Sequence, residues 1–588
     1  MLRRITHRTT HRALWALLLA LSCVSPTRAV GLYGTVRDTA DQPLRGVMVT
    51  VTSASAAAPV TKVFSDGSGA FRVPDLGAGV RVNSLYVKAS RLGYRQTQPA
   101  AAAVTDLRPP VSGDAAKVDF VLEPVSDVAE QVSASAWLAR LPDSPQRQQV
   151  AVLCTQCHQM PSPRVKRFAA TLADQPLTQR VDAWRAIIKM MRTVGIYGAL
   201  QAEHAAPLSM EELAKPEQSM FSQLDEDLLA PYLAEHFPSQ FDTYPVAEAA
   251  RLQAPLGVTG RTVIREYPWP EGSFVRETAV VDGQVWVCDI ARNRIGRLDP
   301  TSGAYLWQDV PLLGAPAPHT LVPDGVGNIW MTLLGSAGQM AARFTPANNQ
   351  WRIYDGFPVG HMAHDLSPGP GYRMAFDPQG YGWATVISHN QVVGFHQDSG
   401  QVLGPFDLPL PEGENPIHVS VYGGALSPDG NYWYAQYFGE VGRFNTKTRR
   451  VDHRIELPRG SGPHRMVLDE KGLLYVSLIG AGQILVYDTA ALREVERITL
   501  PDTASAPYDV MYDPARKALW MGTVNNDSLF RYDLDTRRFS EYPLAIAHLN
   551  MRIIAVDANS GDLWIANSPI PYNEPAMRRV FMVHPGDI

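Results

Sequence analysis

The stretch PHTLVPDGVGNIWMT (318–332) decides the fold, because its pattern returns along the C-terminal half of the chain. It contains a short apolar run, a turn rich in Asp and Gly, and a β-prone run around an aromatic residue. This aromatic residue recurs every 42 to 53 residues, at Trp286, Trp330, Trp383, Trp433, Tyr475, Trp520 and Trp564. Short strands with one aromatic residue per repeat predict a β-propeller, here with seven blades over residues 262–588.

The repeats resemble those of virginiamycin B lyase (streptogramin lyase) and of YVTN-type propellers. PHTLVPDGVGNIWMT and GPHRMVLDEKGLLYVS (462–477) share the pattern P-H-x-x-x-x-D-x-x-G, and the resemblance covers the propeller only. Such a motif is specific for fold and weak for activity. RTVIREYP (261–268) has no repeat of its own and is predicted to form the outer strand of the last blade, beside RRVFMVHP (578–585).

The predicted innermost strands begin with residues that would surround one mouth of the central channel. Counting five residues back from each turn gives polar or aromatic residues only: Glu277, His319, Tyr372, Tyr422, His464, Tyr508 and Arg552. Arg373, Arg465 and Asp509 lie next to them. A water-filled channel explains any one polar position, but the whole ring suggests a site. The candidate catalytic residues are therefore His319, His464, Glu277, Arg552 and Tyr372.

A metal in this mouth is implied only by the family resemblance. In the lyase family, two blade-start His and a Glu act around a magnesium ion. His319 and His464 match those His, but they lie three blades apart, and Gly462 stands where a carboxylate is expected. A divalent metal, or an acid–base pair of Glu277 with His319, stays open. One further cluster, His361, His364 and Asp365, falls in the loop before blade three, where it either lies over a channel mouth or, as we favour, belongs to a surface loop.

The stretch Cys154-Thr155-Gln156-Cys157-His158 reads C-x-x-C-H, the attachment motif of a c-type haem. Two thiols about one helical turn apart can each bond one vinyl group of a porphyrin, and His158 can bind its iron. A thioredoxin-like dithiol and half of a zinc site are the alternatives. The motif predicts one covalent haem c on Cys154 and Cys157.

The residues around this motif, about 130–240, carry helical patterns and resemble small monohaem cytochrome c domains. Those domains hold C-x-x-C-H on the first helix and use a later Met as sixth ligand. The resemblance implies Met191, seven residues after Trp184, with packing in the core as the alternative role. The competing ligands are Met190, Met210 and Met220. Iron bound by Met and His indicates electron transfer rather than oxygen activation.

The N-terminal part predicts an exported protein. Residues 1–29 combine a basic start, a short apolar stretch and a small-residue cleavage site, as in a signal peptide, so we expect a periplasmic location. Residues 30–124 read as a β-sandwich that resembles carboxypeptidase-regulatory-like domains, and residues 241–261 as a linker. Because an oxidising compartment disfavours a free dithiol, export supports the haem interpretation.

Composition restricts the function classes. The 53 basic and 58 acidic side chains give a net charge of −5 without a basic run, so no nucleic-acid partner is expected. No apolar stretch is long enough to predict an integral membrane protein. The favoured function is electron transfer within an oxidoreductase whose propeller binds a small-molecule substrate or a redox partner protein. The alternatives are a lyase with an accessory haem and a ligand-binding scaffold protein.

Overall fold

The computed structural model describes residues 31–53, 59–73, 85–99, 115–155, 158–194, 226–335, 337–410, 421–437, 439–544, 549–568 and 578–586. Strands dominate these residues and are arranged in many small sheets. The prediction of a mainly β, propeller-like fold is therefore confirmed. The predicted signal peptide, Cys157, Met210 and Met220 lie outside the described residues.

Eight strands form the N-terminal part of the chain. They are β1 (Gly31–Asp38), β2 (Met48–Ser53), β3 (Val60–Phe64), β4 (Ala70–Val73), β5 (Leu85–Ser90), β6 (Tyr94–Gln98), β7 (Ala115–Lys117) and β8 (Phe120–Pro124). One sheet has the order β4-β1-β8-β6, with β7 also paired to β1, while β3-β2-β5 belong to a second sheet. Burial alternates along β5, where Leu85, Val87 and Ala89 point inward, as expected of strands that cover a core.

Helices follow between this part and the propeller-like part. They are α1 (Ala134–Leu138), α2 (Pro145–Cys154), α3 (Pro163–Thr171), α4 (Leu177–Val194), α5 (Glu226–His236) and α6 (Val246–Ala249), with a 3-10 turn at Ala250–Leu252. Ser144 and Ser162 cap α2 and α3 by accepting the amide hydrogens of Arg147 and Val165, and each helix then starts with Pro. Helix α5 packs against both α2 and α4.

Six four-stranded antiparallel sheets and part of a seventh sheet repeat along residues 263–584. After β9 (Val263–Pro268), the strands of units one to three are β10 (Val275–Val281), β11 (Gln284–Asp289), β12 (Arg294–Leu298), β13 (Tyr305–Asp309), β14 (Pro318–Pro323), β15 (Ile329–Leu333), β16 (Gln339–Thr345), β17 (Gln350–Asp355), β18 (Ala363–Leu366), the small hairpin β19 (Pro368–Gly369) and β20 (Arg373–Met374), β21 (Tyr381–Val386), β22 (Gln391–His396) and β23 (Val402–Asp407).

The remaining units are built in the same way. Units four to six contain β24 (Val421–Leu426), β25 (Tyr432–Gln436), β26 (Glu440–Asn445), β27 (Arg450–Glu456), β28 (Pro463–Leu468), β29 (Leu473–Leu478), β30 (Gln483–Asp488), β31 (Arg493–Thr499), β32 (Pro507–Asp513), β33 (Ala518–Thr523), β34 (Ser528–Asp533) and β35 (Arg538–Pro543). Unit seven consists of β36 (Met551–Val556), β37 (Leu563–Asn567), β38 (Arg579–His584) and the early strand β9. The predicted pairing of 261–268 with 578–585 is thus confirmed.

The seven units close into a ring. The first strand of each unit contacts the first strand of the next, and β36 of unit seven contacts β10 of unit one. Because β9 comes from the start of the segment and β36–β38 from its end, their pairing joins the two ends of the ring. Closure of this kind leaves the inner edge of each sheet short and protected at the centre of the ring.

The repeated aromatic residue has a structural role within the units. The indole Nε1–H of Trp330 donates to Asp324, and those of Trp383 and Trp520 donate to Asp377 and Asp513, at distances of 2.9 to 3.1 Å. Each Asp belongs to the turn after the first strand of its unit. The bond therefore fixes the turn against the second strand and supplies the partner that a buried indole N–H needs.

The N-terminal strands continue the sheet of unit seven. Strand β3 pairs with β9, which gives the strand order β36-β37-β38-β9-β3-β2-β5. At this junction the Nζ of Lys62 lies 2.5 Å from Oε1 of Glu266, and both side chains are buried. No described helix is both long and apolar enough to cross a membrane.

Candidate functional site

All seven first strands of the units share one irregularity near their starts. The pairing register shifts within the first residues of β10, β14, β18, β24, β28, β32 and β36. A β-bulge turns consecutive side chains away from strict alternation and re-aims them. The second residue of each strand forms what we call the first tier: Arg276, His319, His364, Tyr422, His464, Tyr508 and Arg552.

The first tier corrects two positions of the predicted ring. In unit one, Val275 pairs with Asp289 as Pro318 pairs with Leu333 in unit two, so the residue equivalent to His319 is Arg276 and not Glu277. The count from the turn fails because the turn at Asp282 and Gly283 contains only two residues. In unit three, Ala363 pairs with Val386 as Pro318 pairs with Leu333. The tier residue of unit three is therefore His364 and not Tyr372.

Tyr372 lies instead in an insertion that the other units lack. The hairpin of β19 and β20 separates β18 from the turn at Asp377, so a count of five residues back from Asp377 lands in that hairpin. Tyr372 is half-buried there, and burial together with the Glu277 carboxylate raises its pKa. Arg373, predicted beside the ring, is exposed.

The assignment of His364 and Asp365 to a surface loop was wrong. His364 is 3% exposed and Asp365 is 4% exposed, and both belong to strand β18. The sequence contained a signal that could have found them: Ala363-His364-Asp365-Leu366 repeats the order small residue or Pro, ring residue, polar residue, apolar residue of Pro318-His319-Thr320-Leu321. His361 lies before β18 and stacks on His389, with ring centroids 3.8 Å apart.

The first-tier side chains contact one another in the order of the units. Arg276 donates its Nε–H to Nε2 of His319 over 3.0 Å. From His319 the ring centroids follow at 4.3 Å to His364, 4.1 Å to Tyr422, 3.7 Å to His464 and 4.1 Å to Tyr508. The guanidinium carbon of Arg552 lies 4.4 Å from the ring centroid of Tyr508. The predicted His319, His464 and Arg552 thus belong to one buried cluster.

The next residue of each strand forms a second tier: Glu277, Thr320, Asp365, Gly423, Arg465, Asp509 and Ile553. Nη2 of Arg465 bonds Oε1 of Glu277 and lies 3.3 Å from Oδ1 of Asp365. Arg465 therefore reaches from unit five towards units one and three. A Cβ at Gly423 would lie 2.2 Å from the carbonyl oxygen of His464, so only glycine fits this close approach.

Units one, two, three and five also hold the first-tier backbone of the next unit. Cys288, Thr332, Thr385 and Ser477 donate side-chain hydrogen bonds of 2.6 to 3.1 Å to the carbonyl oxygens of His319, His364, Tyr422 and Tyr508 respectively. Glu277 and Asp509 accept the amide hydrogens of Leu321 and Ile554 from the following unit. These bonds between units hold the backbone of the first-tier strands in place.

Burial and neighbouring charges set the protonation of both tiers. Burial lowers the pKa of His319 and His464, and neighbouring cations lower it further. Burial raises the pKa of Glu277 to about 7 and that of Asp509 to about 6. Burial opposes ionisation of Asp365 as well, but the charges of Arg465 and His364 hold its pKa below the ordinary value. The imidazoles are therefore neutral near pH 7.

His319, His364 and Asp365 are close enough together to suggest a metal site, with ligand atoms within 4.8 Å of one another. The hydrogen bonds do not fit this use. Nε2 of His319 already accepts from Arg276, its Nδ1 contacts Thr320 Oγ1 at 3.1 Å, and Asp365 lies beside Arg465. A divalent cation would have to displace Arg276 and sit next to a second guanidinium group. The trio is a hydrogen-bonded assembly, and the magnesium set implied by the lyase resemblance does not fit it.

The helices cover the mouth that the first tier occupies. Val150–Leu153 of α2 belong to one apolar cluster with Tyr422 and Tyr508 of the first tier. The Tyr437 hydroxyl donates to the carbonyl oxygen of Val152 over 2.8 Å. A Cβ at Gly480 would lie 2.4 Å from Cγ2 of Val152, so the glycine admits the helix. Helix α2 and the buried first tier are therefore in direct contact.

The residues after α2 are anchored to units six and seven. The Gln159 amide donates to Asp527 over 2.8 Å, and the Met160 amide hydrogen bonds Oδ1 of Asn525 over 2.7 Å. Between these anchors and the helix lies His158, which is half-buried and whose Nδ1 is 2.7 Å from the Gln159 carbonyl oxygen. A carbonyl only accepts, so Nδ1 carries the proton and Nε2 keeps its lone pair. Burial lowers the pKa of His158, which keeps the ring neutral.

The predicted haem residues differ in their surroundings. Cys154, at the end of α2, is half-buried. Met191 on α4 packs against the same apolar cluster as Cys154, whereas Met190 is 52% exposed. Trp184 lies on the same helical face as Met191 and is buried between Phe168 and Phe237. Cys154 and Met191 thus border one apolar region, with the haem itself still a prediction.

Comparison with known proteins gives structural neighbours only. No protein-family model matches the chain, and no curated protein matches it. Similar solved structures are a streptogramin B lyase (17% identity, TM-score 0.45), a selenomethionine-substituted virginiamycin B lyase from Staphylococcus aureus (16%, 0.44) and a catalytically inactive form of the latter with quinupristin (17%, 0.45). Each match covers 55% of this chain and 97 to 99% of the other. Similarity at this level assigns no activity.

Proposed function

We propose that the protein is an exported c-type haem protein that transfers electrons, with the haem bonded to Cys154 and Cys157 at the mouth of the ring. The observation that carries the proposal is the hydrogen bond between Nδ1 of His158 and the Gln159 carbonyl oxygen, 2.7 Å long. Histidines that bind metals nearly always donate their other ring N–H to a carbonyl or carboxylate, which fixes the tautomer and leaves one lone pair for the metal. The residues therefore fit a haem.

The position of α2 supports a link between this haem and the ring. Val152, two residues before Cys154, accepts the Tyr437 hydrogen bond, and Tyr437 lies 5.5 Å from the ring of His464. A group attached at Cys154 would lie within side-chain distance of the first tier. When bound, haem c supplies a one-electron redox centre, and Met191 on α4 is the sixth ligand that we favour.

The burial of the ring favours electron transfer over lyase chemistry. His319, His464 and Arg552 are each at most 1% exposed; both histidines contact first-tier neighbours on two sides, and Arg552 lies over Tyr508. A lyase has to bring its substrate against such groups, whereas electrons cross packed protein without direct contact. The ring then serves as the inner wall of a docking or substrate site for the redox partner. The experiment described next also tests the lyase and scaffold alternatives.

The test is a visible spectrum and a redox titration of the protein expressed with its leader in a host that matures c-type cytochromes. We expect a covalently bound, low-spin haem that candidate electron donors reduce. A protein that carries no haem would refute the proposal. A haem that stays oxidised while a streptogramin is linearised would favour the lyase, and a bound ligand without turnover or reduction would favour the scaffold.

A further inference from the structure

Two phenol groups meet inside the first tier. Tyr422 of unit four and Tyr508 of unit six have their hydroxyl oxygens hydrogen-bonded to each other. Both side chains are buried, with exposed fractions of 3% and 0%. The imidazole of His464, from the unit between them, packs on both rings. The two hydroxyl groups are therefore enclosed by other first-tier side chains.

The other groups that touch these hydroxyls are hydrogen-bond donors. Nη2 of Arg276 lies 3.5 Å from the Tyr422 oxygen and 3.3 Å from the Tyr508 oxygen. The Arg552 side chain also hydrogen-bonds Tyr508. A guanidinium group has N–H donors and no acceptor. Neither arginine can therefore accept a hydroxyl hydrogen.

Two neutral phenols cannot satisfy this arrangement. They would carry two hydroxyl hydrogens, and only one of these can lie between the two oxygens. Among the described residues, no hydrogen bond of either oxygen offers an acceptor for the second hydrogen, since the remaining contacts of both oxygens are with guanidinium groups. A buried hydrogen-bonding group without a partner is strongly disfavoured. Loss of one proton from the pair removes the conflict.

The charge of Arg276 leads to the same result. Arg276 is 5% exposed, and its described hydrogen bonds go to His319, Tyr422 and Tyr508, with no described carboxylate within ion-pair distance. Glu277, beside it in sequence, pairs with Arg465 instead. Arginine does not release its proton in proteins, and a buried cation without a counter-ion is costly. A phenolate at the pair would supply the missing negative charge.

We propose that Tyr422 and Tyr508 share a single proton at neutral pH, so that the ring contains a tyrosinate that pairs with Arg276 and forms the proton-accepting group of the mouth. The surrounding charges place the anion on Tyr508. Burial opposes its ionisation, but Arg552, Arg276 and Arg465 hold its pKa below the ordinary value. Burial and the neighbouring Tyr508 raise the pKa of Tyr422, which keeps the proton.

Other titratable groups around the pair do not remove this charge imbalance. His464, which packs on both phenols, stays neutral because burial lowers its pKa. Asp509 follows Tyr508 in the second tier, and its Oδ2 accepts the Ile554 amide hydrogen. Arg465 approaches both phenols, with its guanidinium carbon 5.8 and 5.9 Å from the ring centroids, but its charge is already paired with Glu277 and Asp365.

The pair would complete the proposed electron transfer, and only this role rests on the proposed function. With a haem bound as the one-electron acceptor, oxidation of a hydroxyl-bearing donor by one electron would release one proton and leave the donor as a neutral radical. Tyr508 is buried, so the donor would not touch it; if the proton reached the pair through the hydrogen bonds of the first tier, it would form a new O–H bond at the Tyr508 oxygen and neither tyrosine would change its oxidation state. The protonation state itself does not depend on haem, so the two proposals can fail separately.

The test is a carbon-13 NMR spectrum of the full protein in its reduced form, labelled at the tyrosine Cζ, recorded at neutral pH. We expect one resonance in the phenolate region, which Tyr508→Phe abolishes and which Arg276→Met moves to the phenol region. Tyr437→Phe is the matched control, because its hydroxyl lies near the ring but donates to Val152. We expect the phenolate resonance to persist in this variant.

A wild-type spectrum with every tyrosine Cζ in the phenol region would overturn the proposal, whether or not any variant folds. So would a phenolate resonance that survives in both Tyr508→Phe and Tyr422→Phe, since it would belong to another tyrosine. A protein that lacks haem yet shows the resonance would contradict only the proposed function.

Discussion

The hydroxyl of Tyr437 and the carbonyl oxygen of Val152, 2.8 Å apart, join the fourth unit of the ring to the helix that carries Cys154. Tyr437 lies directly after strand β25 and Val152 lies in the last turn of α2. The bond is buried, and the Tyr437 ring also packs against Tyr422 and His464 of the first tier. A single tyrosine therefore touches both the predicted haem helix and the centre of the ring.

Replacing Tyr437 with Phe should weaken the seating of α2 on the ring. The variant loses one buried hydrogen bond and leaves the Val152 carbonyl without this donor, which costs about 1 to 3 kcal/mol. We expect faster amide hydrogen exchange in α2 than in the wild type. Tyr381→Phe is the control, because its exposed hydroxyl bonds Gln401 at the same distance of 2.8 Å. Equal exchange of α2 in both variants would contradict this role of Tyr437.

Removing both motif thiols should remove the covalent haem. We expect intact-protein mass spectrometry to show one added haem in the wild type and none in the Cys154→Ala/Cys157→Ala variant, because each thiol forms one thioether. Cys288→Ser is the control, since this buried thiol donates to the His319 carbonyl and lies in the ring. A haem mass retained in the double variant would show that attachment uses other residues.

Replacing Met191 and Met190 one at a time distinguishes a haem ligand from the adjacent residue on the same helix. Met191 borders the apolar cluster with Cys154, while Met190 is 52% exposed. We expect Met191→Leu to abolish the near-infrared sulfur-to-iron band and to lower the haem reduction potential, because thioether ligation favours ferrous iron. Met190→Leu should leave both unchanged. An intact band in Met191→Leu would transfer the assignment to Met210 or Met220.

Glu541 should make stability fall as the pH rises. Burial raises its pKa to about 7, while its carboxyl oxygens accept from Ser528 Oγ and the Ala254 amide. Above its unfolded pKa the unfolded chain is ionised while the folded carboxyl still holds its proton, so stability declines through this window until the folded pKa is passed. Across this window the free energy of unfolding falls by on the order of 3 kcal/mol.

Glu541→Gln should remove this pH dependence, because a neutral amide can donate to Ser528 and accept from Ala254. The measurement is the urea midpoint from acid to slightly alkaline pH. Glu494→Gln on the exposed strand β31 is the control and should follow the wild type. A Glu541→Gln variant whose midpoint falls as steeply as the wild type would refute this assignment.

Gly480→Ala should push α2 away from the ring. The added Cβ would lie 1.9 Å from the Gly460 carbonyl oxygen and 2.4 Å from Cγ2 of Val152, and neither can be accommodated without movement. Overpacking of this kind costs about 1 to 3 kcal/mol. Gly325→Ala is the control, because nothing lies within 4 Å of its added Cβ. Thermal unfolding of the two variants should differ by several degrees, and equal melting would refute the tight seating of α2.

Several features followed from the sequence because they depend on neighbours in the chain. The repeated aromatic residues, the turns before them and the short strands are local patterns, and they predicted the propeller-like part. The pairing of β9 with β38 was also predictable, because an unpaired strand at the start and an incomplete last unit can complete each other. Most of the first tier, including His319, Tyr422, His464, Tyr508 and Arg552, followed from the same repeat.

Two first-tier positions could not be found by counting residues. In unit one the count gives Glu277 instead of Arg276, because the turn is shorter than in the other units. In unit three the count misses His364, because the β19–β20 hairpin lengthens the unit. Pairing between strands, not distance along the chain, decides which residue faces the channel. The roles predicted for the ring residues, for the haem ligands and for the metal stay predictions.

The sequence by itself determined the order of the elements and the motif at Cys154, since strand periodicity, turns and C-x-x-C-H spacing are properties of short stretches. Only the tertiary structure decided that Tyr422, His464 and Tyr508 form one packed cluster under α2. It also decided that Arg276 faces two phenols, with no carboxylate of the described residues in ion-pair distance. These residues are far apart in the chain and come together through ring closure. Their charges and protons are set by burial and by neighbours from other units, which the linear sequence does not specify.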